Sequence, residues 1–586
     1  MILNQIKKRN DIYQVLSLFL VLFHAFLLIK VSGVHSPSPL ERNLLPAGYY
    51  HLKYGRYDIA QVNPPLCRMI FATPLFLFNI DEDWGSLQNN NGSRPEYLVG
   101  QDFLEKNGSS IQEILGICRS IAALFSSLAA WCVFLIAKKL YGSLSGFVAS
   151  IIWCFSPLIL GHGQTIGHDL PGASLLALAY LGFMKVLDRG KPIDYLLCGI
   201  LSGLSFLART MNIAVIIIWF LVFIVSRGKS PTSRKLVVSS FVFFISILVF
   251  NLGYEFSGTF KFLSDYEFCS QSLSGQDNPD ICGNRYRNSI LGSIPIPLPK
   301  DFVVGLDLQK KDFESPAFSS YLCGEWRKHG WWYYYLYAWL VKTPIGFQLI
   351  IIPALIFAIK RIVLNTAQPL ELYLIIAVLV PFFLTAMQSG FTIHYRYVFS
   401  SFPFIAVLAS QLWCDKFPLP KFRILFNVLL SYGIISSLLV FPSSISYFNE
   451  WVGGATNGGK YLLHSSCDWG QDAYLLKKWY QNYESSGETI FLQCQSEISY
   501  YQLGIPKNSI PRRSTLGKRI DNDQAKLMPG YYVISVGFLY GEDQEFRYLD
   551  SFEPIEHIGY SIKVYHLTDK MINEYNLNNK LVKELQ

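Results

Sequence analysis

Two carboxylates stand at the ends of apolar segments, where they are candidates for proton transfer. Glu41 follows the first long apolar segment, and Asp169 precedes the fourth. A carboxylate held at such a boundary can act as a general base or as a metal ligand. Each also has a structural interpretation, because Glu41 can be a solvated loop residue and Asp169 can cap the helix that follows it. We predict that both are catalytic and converge on one cavity.

Three cations also lie near the ends of apolar segments. They are Arg209, Lys342 and Arg396, and Tyr395 directly precedes the last of them. Lys and Arg side chains stabilise a phosphate group that gains negative charge during a reaction. One such cation alone is equally well explained by a long side chain that reaches from a helix end to the membrane surface. We predict that these three cations bind a phosphate and that Tyr395 contacts the substrate.

His162 shares a short polar loop with Asp169 and is a third kind of candidate. A histidine at this depth is often a satisfied interfacial residue, but its ring can also bind substrate. Together with Glu41 and Asp169 it offers nitrogen and oxygen ligands that suit a divalent metal, although the spacing of the three does not require one. The sequence therefore predicts substrate binding by His162 and leaves metal dependence open.

A polar, glycine-rich passage follows the last apolar segment. It contains four glycines between residues 453 and 459 and then the sequence Asp468-Trp469-Gly470-Gln471-Asp472. A flexible linker would explain the glycines but not the second group of residues. Trp469 can bury a large apolar face, and Gly470 permits a tight turn. We predict that the passage folds back against the outer loops and that Asp468 contributes to substrate binding.

The composition indicates a membrane protein. Of the 586 residues, 51% are hydrophobic and only 16% are charged, which is too apolar for an ordinary soluble enzyme. Continuous apolar runs of roughly 17–25 residues are long enough to cross a bilayer as helices. We predict about eleven such spans, at residues 12–32, 113–137, 144–161, 169–187, 193–208, 211–226, 235–256, 345–360, 371–387, 398–414 and 423–441.

Basic residues between the spans set the predicted orientation. They cluster at the ends that lie on the side of the N-terminus, which is therefore expected to be cytoplasmic. The net charge of +8 is mostly explained by this topology signal, and without a concentrated basic patch we expect no nucleic-acid partner. The outer face then carries the loops 33–112, 162–168 and 257–344 and the segment 442–586.

The predicted fold is a mainly α-helical polytopic membrane domain at residues 1–441, followed by a small extracytoplasmic α/β domain at residues 442–586. In the second domain, residues 489–493, 531–539 and 562–567 have the patterns of strands, whereas 471–480 and 499–503 have those of helices. Cys269 and Cys282 share one outer loop and can form a disulfide in an oxidising compartment, or remain free thiols.

Five ordered patches of the chain resemble glycosyltransferase family 39-like proteins of bacteria, which are related to the protein O-mannosyltransferases. The patches are Glu41 to Leu66, His162 to Asp169, Gly324 to Pro344, Tyr395 to Pro403 and Tyr447 to Asp472. In the first patch this chain has Leu40 where the family often has an additional acidic residue. The most specific resemblance lies in the last patch, around residues 467–472.

The resemblance implies a GT-C fold and a glycosyltransferase of the hexosyl- or mannosyltransferase kind. A polyprenyl-phosphate sugar would donate its sugar to a protein, lipid or glycan acceptor on the extracytoplasmic face, with inversion of the anomeric configuration. Glu41 or Asp169 would take the acceptor's proton, and Lys342, Arg396 or Arg209 would stabilise the departing lipid phosphate. The implied location is the inner, cytoplasmic membrane of a bacterium.

A different class of protein, a multispanning transporter or lipid flippase, remains the alternative. Such a protein places ionisable residues near the middle of the bilayer and often shows two related halves. The polar candidates here instead gather at the outer ends of the spans, and the outer loops differ in length. A sensor that uses its outer terminal domain is a third possibility, but it would not need the three cations. The sequence leaves the sugar, the acceptor and the oligomeric state undetermined.

Overall fold

The structure is a computed structural model that describes residues 2–88, 92–108, 110–226, 231–278, 281–315, 318–388, 390–415, 417, 420–506, 508–514, 519–520, 523–524 and 526–584. Its α-helices, numbered along the chain, begin with α1 (Ile2–Val31), α2 (Pro39–Tyr54), α3 (Leu66–Ala72), α4 (Glu96–Lys106), α5 (Ile111–Tyr141), α6 (Ser143–Cys154), α7 (Pro157–His162), α8 (Asp169–Asp188), α9 (Pro192–Ala208), α10 (Met211–Val225) and α11 (Thr232–Leu252).

The second half of the chain adds further helices and all of the strands. The helices are α12 (Gln271–Ser274), α13 (Lys300–Glu314), α14 (Tyr334–Lys342), α15 (Ile345–Val363), α16 (Pro369–Ala386), α17 (Phe402–Ala409), α18 (Arg423–Val440), α19 (Ala473–Tyr483), α20 (Tyr500–Leu503), α21 (Val536–Leu539) and α22 (Asp569–Glu584). The strands are β1 (Ser320–Leu322), β2 (Glu325–Arg327), β3 (Ile490–Gln493), β4 (Arg519–Ile520), β5 (Asp523–Gln524), β6 (Gly530–Ser535), β7 (Glu556–Ile558) and β8 (Ile562–Leu567).

Within the described residues, seven helices are long and apolar enough to cross a membrane. They are Asp11–Val31, Ile111–Tyr141, Asp169–Asp188, Thr232–Leu252, Ile345–Val363, Pro369–Ala386 and Arg423–Val440. These confirm the prediction of a mainly helical, polytopic membrane protein. All eleven predicted segments coincide with helical structure, but those at 144–161, 193–208, 211–226 and 398–414 form shorter or interrupted helices.

The segment predicted as a span at 398–414 has an unusual position. It folds as a 3₁₀ helix (Tyr395–Ser401), then α17, then a second 3₁₀ helix (Ser410–Trp413). Every residue of α17 is buried, and the helix packs against α5, α6, α8, α15 and α16. A helix that is apolar on all sides belongs either in a membrane or in a protein core. Here α17 forms the centre of the helical bundle and carries the 3₁₀ helix Tyr395–Ser401 at its start.

The first outer helix, α2, is fixed at both of its ends. Ser38 and Glu41 form a reciprocal capping box at its start, in which each side chain accepts a hydrogen bond from the backbone N–H of the other residue. Gly55 ends the helix with φ of 62°, a left-handed conformation that glycine adopts without strain. The helix packs against α3 and α4.

The C-terminal region contains a four-stranded mixed sheet in the order β3-β6-β8-β7. Strands β3 and β6 are parallel, whereas β6 with β8 and β7 with β8 are antiparallel. The strands predicted at 489–493 and 562–567 are confirmed. The prediction of one strand over 531–539 is wrong in its second half, because the chain turns into α21 after Ser535. Side chains at the start of this region also pack into the outer loops of the helical part.

Candidate functional site

A large cavity lies where α8 and α10 begin and α16 ends. Its volume is about 610 Å³, and α2, α8, α10, α13 and α16 all contribute to its wall, together with the 3₁₀ helix Tyr395–Ser401. Met211 and Ala214 of α10 and Leu384 of α16 contribute apolar surface to its wall. The volume falls in the range of small-molecule sites, which combine apolar walls with a few polar groups.

Three of the predicted site residues meet at this cavity: Asp169, Arg209 and Arg396. Asp169 is the first residue of α8, and Arg209 directly follows α9. One carboxylate oxygen of Asp169 forms an ion pair with Nη1 of Arg209, and the other lies 3.2 Å from Nε of Arg396. With two guanidinium groups and one carboxylate, the cluster carries a net positive charge. We call these three residues the positive cluster.

Arg396 keeps hydrogen-bonding capacity that its protein neighbours do not use. The residue is 8% exposed, yet among the described residues its Nε and Nη1 have no hydrogen-bond partner. The contact between Nε and Asp169 is therefore an ion pair without hydrogen-bond geometry. Burial lowers the pKa of Arg396, while the charge of Asp169 acts in the opposite direction. A buried guanidinium with unused donors is suited to an anionic ligand, because phosphate oxygens accept such hydrogen bonds.

Aromatic rings hold the two arginines in place. The guanidinium of Arg396 lies 4.3 Å from the ring centre of Trp469, and that of Arg209 lies 5.6 Å from the ring centre of Tyr397. Cation–π contacts of this kind are attractive and restrict the orientation of the guanidinium plane. Trp469 is 5% exposed, and the carbonyl oxygen of Gly470 accepts a hydrogen bond of 2.6 Å from the hydroxyl of Ser36, so the passage folds back against the loop that follows α1.

A second charged group lines the same cavity and was not predicted from the sequence. Arg94 donates a hydrogen bond of 2.6 Å from Nε to Glu96 and one of 2.5 Å from Nη1 to Asp312. Two carboxylates share one guanidinium, so this group carries a net negative charge. We call Arg94, Glu96 and Asp312 the negative cluster.

Glu41 does not line the large cavity, although its neighbour Leu40 does. Its carboxylate accepts hydrogen bonds from Nε and Nη2 of Arg119, both 2.7 Å long, and from the backbone N–H of Ile166 at 2.9 Å. The backbone N–H of Ser38 donates a further bond of 2.8 Å. Burial alone would raise the pKa of Glu41, but the charge of Arg119 and these hydrogen bonds bring the pKa below its usual value. The structure thus places Glu41 in a fully paired internal network.

Lys342 is separated from the positive cluster's cavity. Its ammonium group donates hydrogen bonds to the carbonyl oxygens of Ile445 at 2.7 Å and Ser466 at 2.5 Å. Burial lowers the pKa of Lys342 to about 7. With His162, Tyr395 and Arg396 it lines a small void of about 10 Å³, which is too small for a phosphate. Arg396 lines both this small void and the large cavity.

His162 and Tyr395 lie beside the positive cluster rather than inside the large cavity. Burial lowers the pKa of His162 to about 3, so its ring is neutral at physiological pH. The ring of His162 meets the ring of Trp469 edge-on at 6.2 Å. Tyr395 is fully buried, and its hydroxyl has no hydrogen-bond partner among the described residues. Both residues line the small void together with Arg396.

Asp468 contacts the C-terminal sheet. Its carboxylate accepts hydrogen bonds from the backbone N–H groups of Gly470 at 3.2 Å and Gly537 at 3.1 Å. Gly470 has φ of 75°, which allows the tight turn that this contact requires. Burial raises the pKa of Asp468 to about 6. The residue does not line the large cavity, and its contacts join the passage around Trp469 to the chain that follows β6.

The described part of the chain holds no group of three or more His, Cys, Asp and Glu side chains arranged to bind a metal ion. Glu41, His162 and Asp169 accordingly do not come together as a ligand set. Cys269 and Cys282 form a disulfide. The disulfide lies in the outer loop between α11 and α13, where the predicted orientation expects an oxidising compartment.

Comparisons with known proteins give one family match over part of the chain and distant matches among solved structures. A family model described as dolichyl-phosphate-mannose-protein mannosyltransferase matches residues 115–253, from α5 to the end of α11. No curated protein matches the chain. Among solved structures, ArnT from Cupriavidus metallidurans bound to undecaprenyl phosphate is similar over 94% of this chain and 98% of that chain, with 11% identity and a TM-score of 0.44.

A second solved structure is the oligosaccharyltransferase AglB from Archaeoglobus fulgidus in complex with an inhibitory peptide and a dolichol-phosphate. It is similar over 92% of this chain and 72% of that chain, with 9% identity and a TM-score of 0.39. Both structural likenesses are distant. The fold itself defines an integral membrane protein with a charged cavity at one end of its helices. The family match confirms that this chain resembles the protein mannosyltransferase-related glycosyltransferases, and it does so directly for residues 115–253.

Proposed function

We propose that this protein is a membrane glycosyltransferase that takes a sugar from a polyprenyl-phosphate carrier and transfers it to an acceptor at the extracytoplasmic face. The observation that carries the proposal is the positive cluster, in which Arg209 and Arg396 line a 610 Å³ cavity and share a single carboxylate partner, Asp169. The family match supports the class of reaction. The alternative of a transporter or flippase would use the same lipid but would not break the bond between sugar and phosphate.

The donor would enter the cavity from the lipid. Met211 and Ala214 belong to α10, and Leu384 belongs to α16, a helix that is long and apolar enough to cross a membrane. These side chains would contact the first part of the prenyl chain, while its phosphate would approach Arg209 and Arg396. A hydrocarbon chain next to an anionic headgroup matches this combination of apolar wall residues and a positive cluster.

The proposed reaction is a direct displacement at the anomeric carbon. A nucleophilic group of the acceptor forms a new bond to that carbon, while the bond from the carbon to the phosphate oxygen breaks and its electrons leave with the phosphate. Arg209 and Arg396 would stabilise the additional negative charge on the departing phosphate. Displacement from the opposite side inverts the anomeric configuration. Asp169 would hold the two arginines in position rather than act as the base, because both of its oxygens face guanidinium groups.

Glu41 would position the first outer loop in this proposal. Its hydrogen bonds join Ser38 at the start of α2, Arg119 on α5 and Ile166 in the loop before α8. That loop leads directly into Asp169. Loss of the network would therefore displace both Leu40, which lines the cavity, and the start of α8. We propose the same orientation as the basic residues indicate, with a cytoplasmic N-terminus and the disulfide outside.

The direct test is transfer by the full chain reconstituted in lipid nanodiscs. Polyprenyl-phosphate mannose is supplied as the donor, with a cell-envelope fraction as the source of acceptors, and release of polyprenyl phosphate is measured. Other polyprenyl-phosphate hexoses are tested in parallel to define the sugar. We expect release and transfer of the labelled sugar for at least one donor. Movement of intact lipid across a liposome membrane without any cleavage would contradict the proposal and favour a flippase.

A further inference from the structure

Two groups of opposite net charge line the large cavity. The positive cluster combines one carboxylate with two guanidinium groups, whereas the negative cluster combines two carboxylates with one guanidinium group. Lys310 also borders the cavity, but its ammonium group lies 3.6 Å from Glu314 and is paired there. In a displacement reaction the leaving group gains negative charge, which the positive cluster can stabilise. The attacking group gives up a proton, which a carboxylate of the negative cluster can accept.

Tyr397 lies beside the positive cluster. Its ring lies 5.6 Å from the guanidinium carbon of Arg209 and 5.9 Å from that of Arg396. Burial raises the pKa of Tyr397, the two arginines lower it, and Asp169 and Asp312 raise it further. Tyr397 thus lies within electrostatic range of carboxylates from both clusters. Both clusters line the same cavity, so a ligand that fills it would contact both of them.

Of the three carboxylates that line the cavity, Asp312 is the most accessible. The Asp169 side chain is 4% exposed and faces two arginines. The Glu96 side chain is also 4% exposed, and it pairs with Arg94. The Asp312 side chain is 26% exposed and contacts Arg94 through one of its oxygens. A general base must reach the proton that it removes, and this requirement favours Asp312.

We propose that the negative cluster is the acceptor subsite and that Asp312 removes the proton from the acceptor's hydroxyl or amine group. The inference rests on the proposed function and extends it. As the acceptor atom bonds to the anomeric carbon, its proton moves to a carboxylate oxygen of Asp312, and the sugar's former bonding electrons leave with the lipid phosphate at Arg396. An acceptor with a neutral or cationic reactive group fits beside the negative cluster, whereas an anionic acceptor would be repelled.

The pKa of Asp312 is raised above its usual value, which moves it towards the range of a more effective base. Burial raises the pKa of Asp312, the charge of Arg94 lowers it, and Glu96 raises it again. Proton transfer is most efficient when the base has a pKa near the working pH. The other charged or titratable groups around it are Arg94, Glu96, Tyr97, Lys311 and Tyr397. The two histidines of the cavity, His168 and His394, have pKa values well below their usual range because they are buried, and they stay neutral.

The test compares Asp312→Asn with the conservative variant Asp312→Glu in the nanodisc assay. A missing general base typically costs about 10²–10⁴-fold in rate. We expect that loss of kcat for Asp312→Asn, with little change in the KM for the donor, and partial activity for Asp312→Glu. The exposed Glu105 on α4 provides a matched control, since Glu105→Gln removes a carboxylate outside the cavity. In the unsubstituted protein kcat should fall as the pH falls through the pKa of Asp312, and Asp312→Asn should lack this dependence.

Binding of polyprenyl phosphate, followed by the fluorescence of tryptophan, separates this inference from the proposed function. Asp312→Asn should still bind the lipid, because the positive cluster is intact, whereas Arg396→Ala should bind it weakly. If the unsubstituted protein releases polyprenyl phosphate but Asp312→Asn keeps its kcat and pH dependence, the inference is wrong and the proposed function stands. If Asp312→Asn loses lipid binding in parallel with activity, the residue has no separate role toward the acceptor and the inference is also overturned.

Discussion

Two buried groups of carboxylate and arginine side chains, one around Glu41 and one around Asp169, differ in how completely they are paired. Glu41 and Arg119 form a bidentate contact, and the remaining donors of Arg119 bond to the carbonyl oxygens of Ser32, His35 and Ser36. At the positive cluster, Arg396 is nearly as buried but leaves two donor nitrogens without a partner among the described residues. The donors of Arg119 are all paired within the protein, whereas two donor nitrogens of Arg396 have no partner among the described residues.

This difference indicates what each group does. Burial of a charge is costly unless its hydrogen-bonding capacity is met, so a native protein that leaves donors unmet usually has a ligand or a functional reason for them. The Glu41 network joins α2, α5 and the loop before α8, as a structural contact should. Arg396 faces a cavity that is large enough for a ligand, as a binding residue should. The following variants test this contrast.

We expect the largest effect from Glu41→Ala. The substitution leaves the buried guanidinium of Arg119 without its counter-ion, and removal of one partner of a buried pair typically costs about 3–5 kcal/mol. The fraction of folded protein and its melting temperature in detergent should therefore fall strongly. Glu105→Gln, on an exposed surface, is the control. A Glu41→Ala protein that folds normally but transfers no sugar would show that Glu41 is catalytic, as the sequence alone suggested.

Arg396→Ala should change the stability of the protein little and reduce the rate of transfer strongly. The guanidinium makes few hydrogen bonds within the protein, so its loss should change the melting temperature much less than Glu41→Ala does. Transfer should fall by about 10²–10³-fold, because one electrostatic donor to a developing charge is typically worth roughly 2.7–4 kcal/mol of the barrier. The exposed Arg327 on β2 gives the matched control, Arg327→Ala. Equal activity of the two variants would contradict a role of Arg396 in phosphate binding.

Lys342 sharpens the comparison because it is a buried cation with carbonyl partners but without a carboxylate partner in its hydrogen bonds. Burial lowers its pKa from 10.5 to about 7. Between these two values the unfolded state binds a proton that the folded state does not, so the free energy of unfolding should rise with pH, by at most about 1.4 kcal/mol per pH unit. Below pH 7 this gain is absent.

Lys342→Met should remove that dependence. Melting temperatures measured from pH 7 to pH 10 should rise for the unsubstituted protein and rise less for the variant. A parallel pH dependence in the two proteins would show that Lys342 does not have the lowered pKa. If Lys342→Met keeps its fold but loses lipid binding, Lys342 contributes to the phosphate site despite its separation from the large cavity.

The sequence predicted more of the helices than of the contacts between them. Long apolar segments can be read directly, and each coincides with helical structure. Hydropathy could not show that residues 402–409 form a central helix, since burial in protein and burial in lipid require the same side chains. The cations Arg209 and Arg396 could be predicted because they interrupt apolar segments.

The negative cluster could not be predicted in the same way. Arg94 and Asp312 are separated by 218 positions, and both lie in polar outer loops where charged residues are common. Their pairing depends on how α13 packs beside the loop before α4. The pairing of Glu41 with Arg119 could likewise not be predicted, because Arg119 lies within an apolar span and belongs to no recognisable motif. Lys342 was identified by its sequence, but its burial depends on Ile445 and Ser466, more than 100 residues further on.

The central claim is that the positive cluster binds the phosphate of a polyprenyl carrier. The most direct measurement is a cryo-EM structure of the full chain in nanodiscs with polyprenyl phosphate added. We predict that the phosphate lies within hydrogen-bonding distance, about 3 Å, of Arg396 and beside Arg209, with the prenyl chain along α10 and α16. A phosphate bound away from Arg209 and Arg396, or an intact lipid bound elsewhere with this cavity empty, would contradict the account.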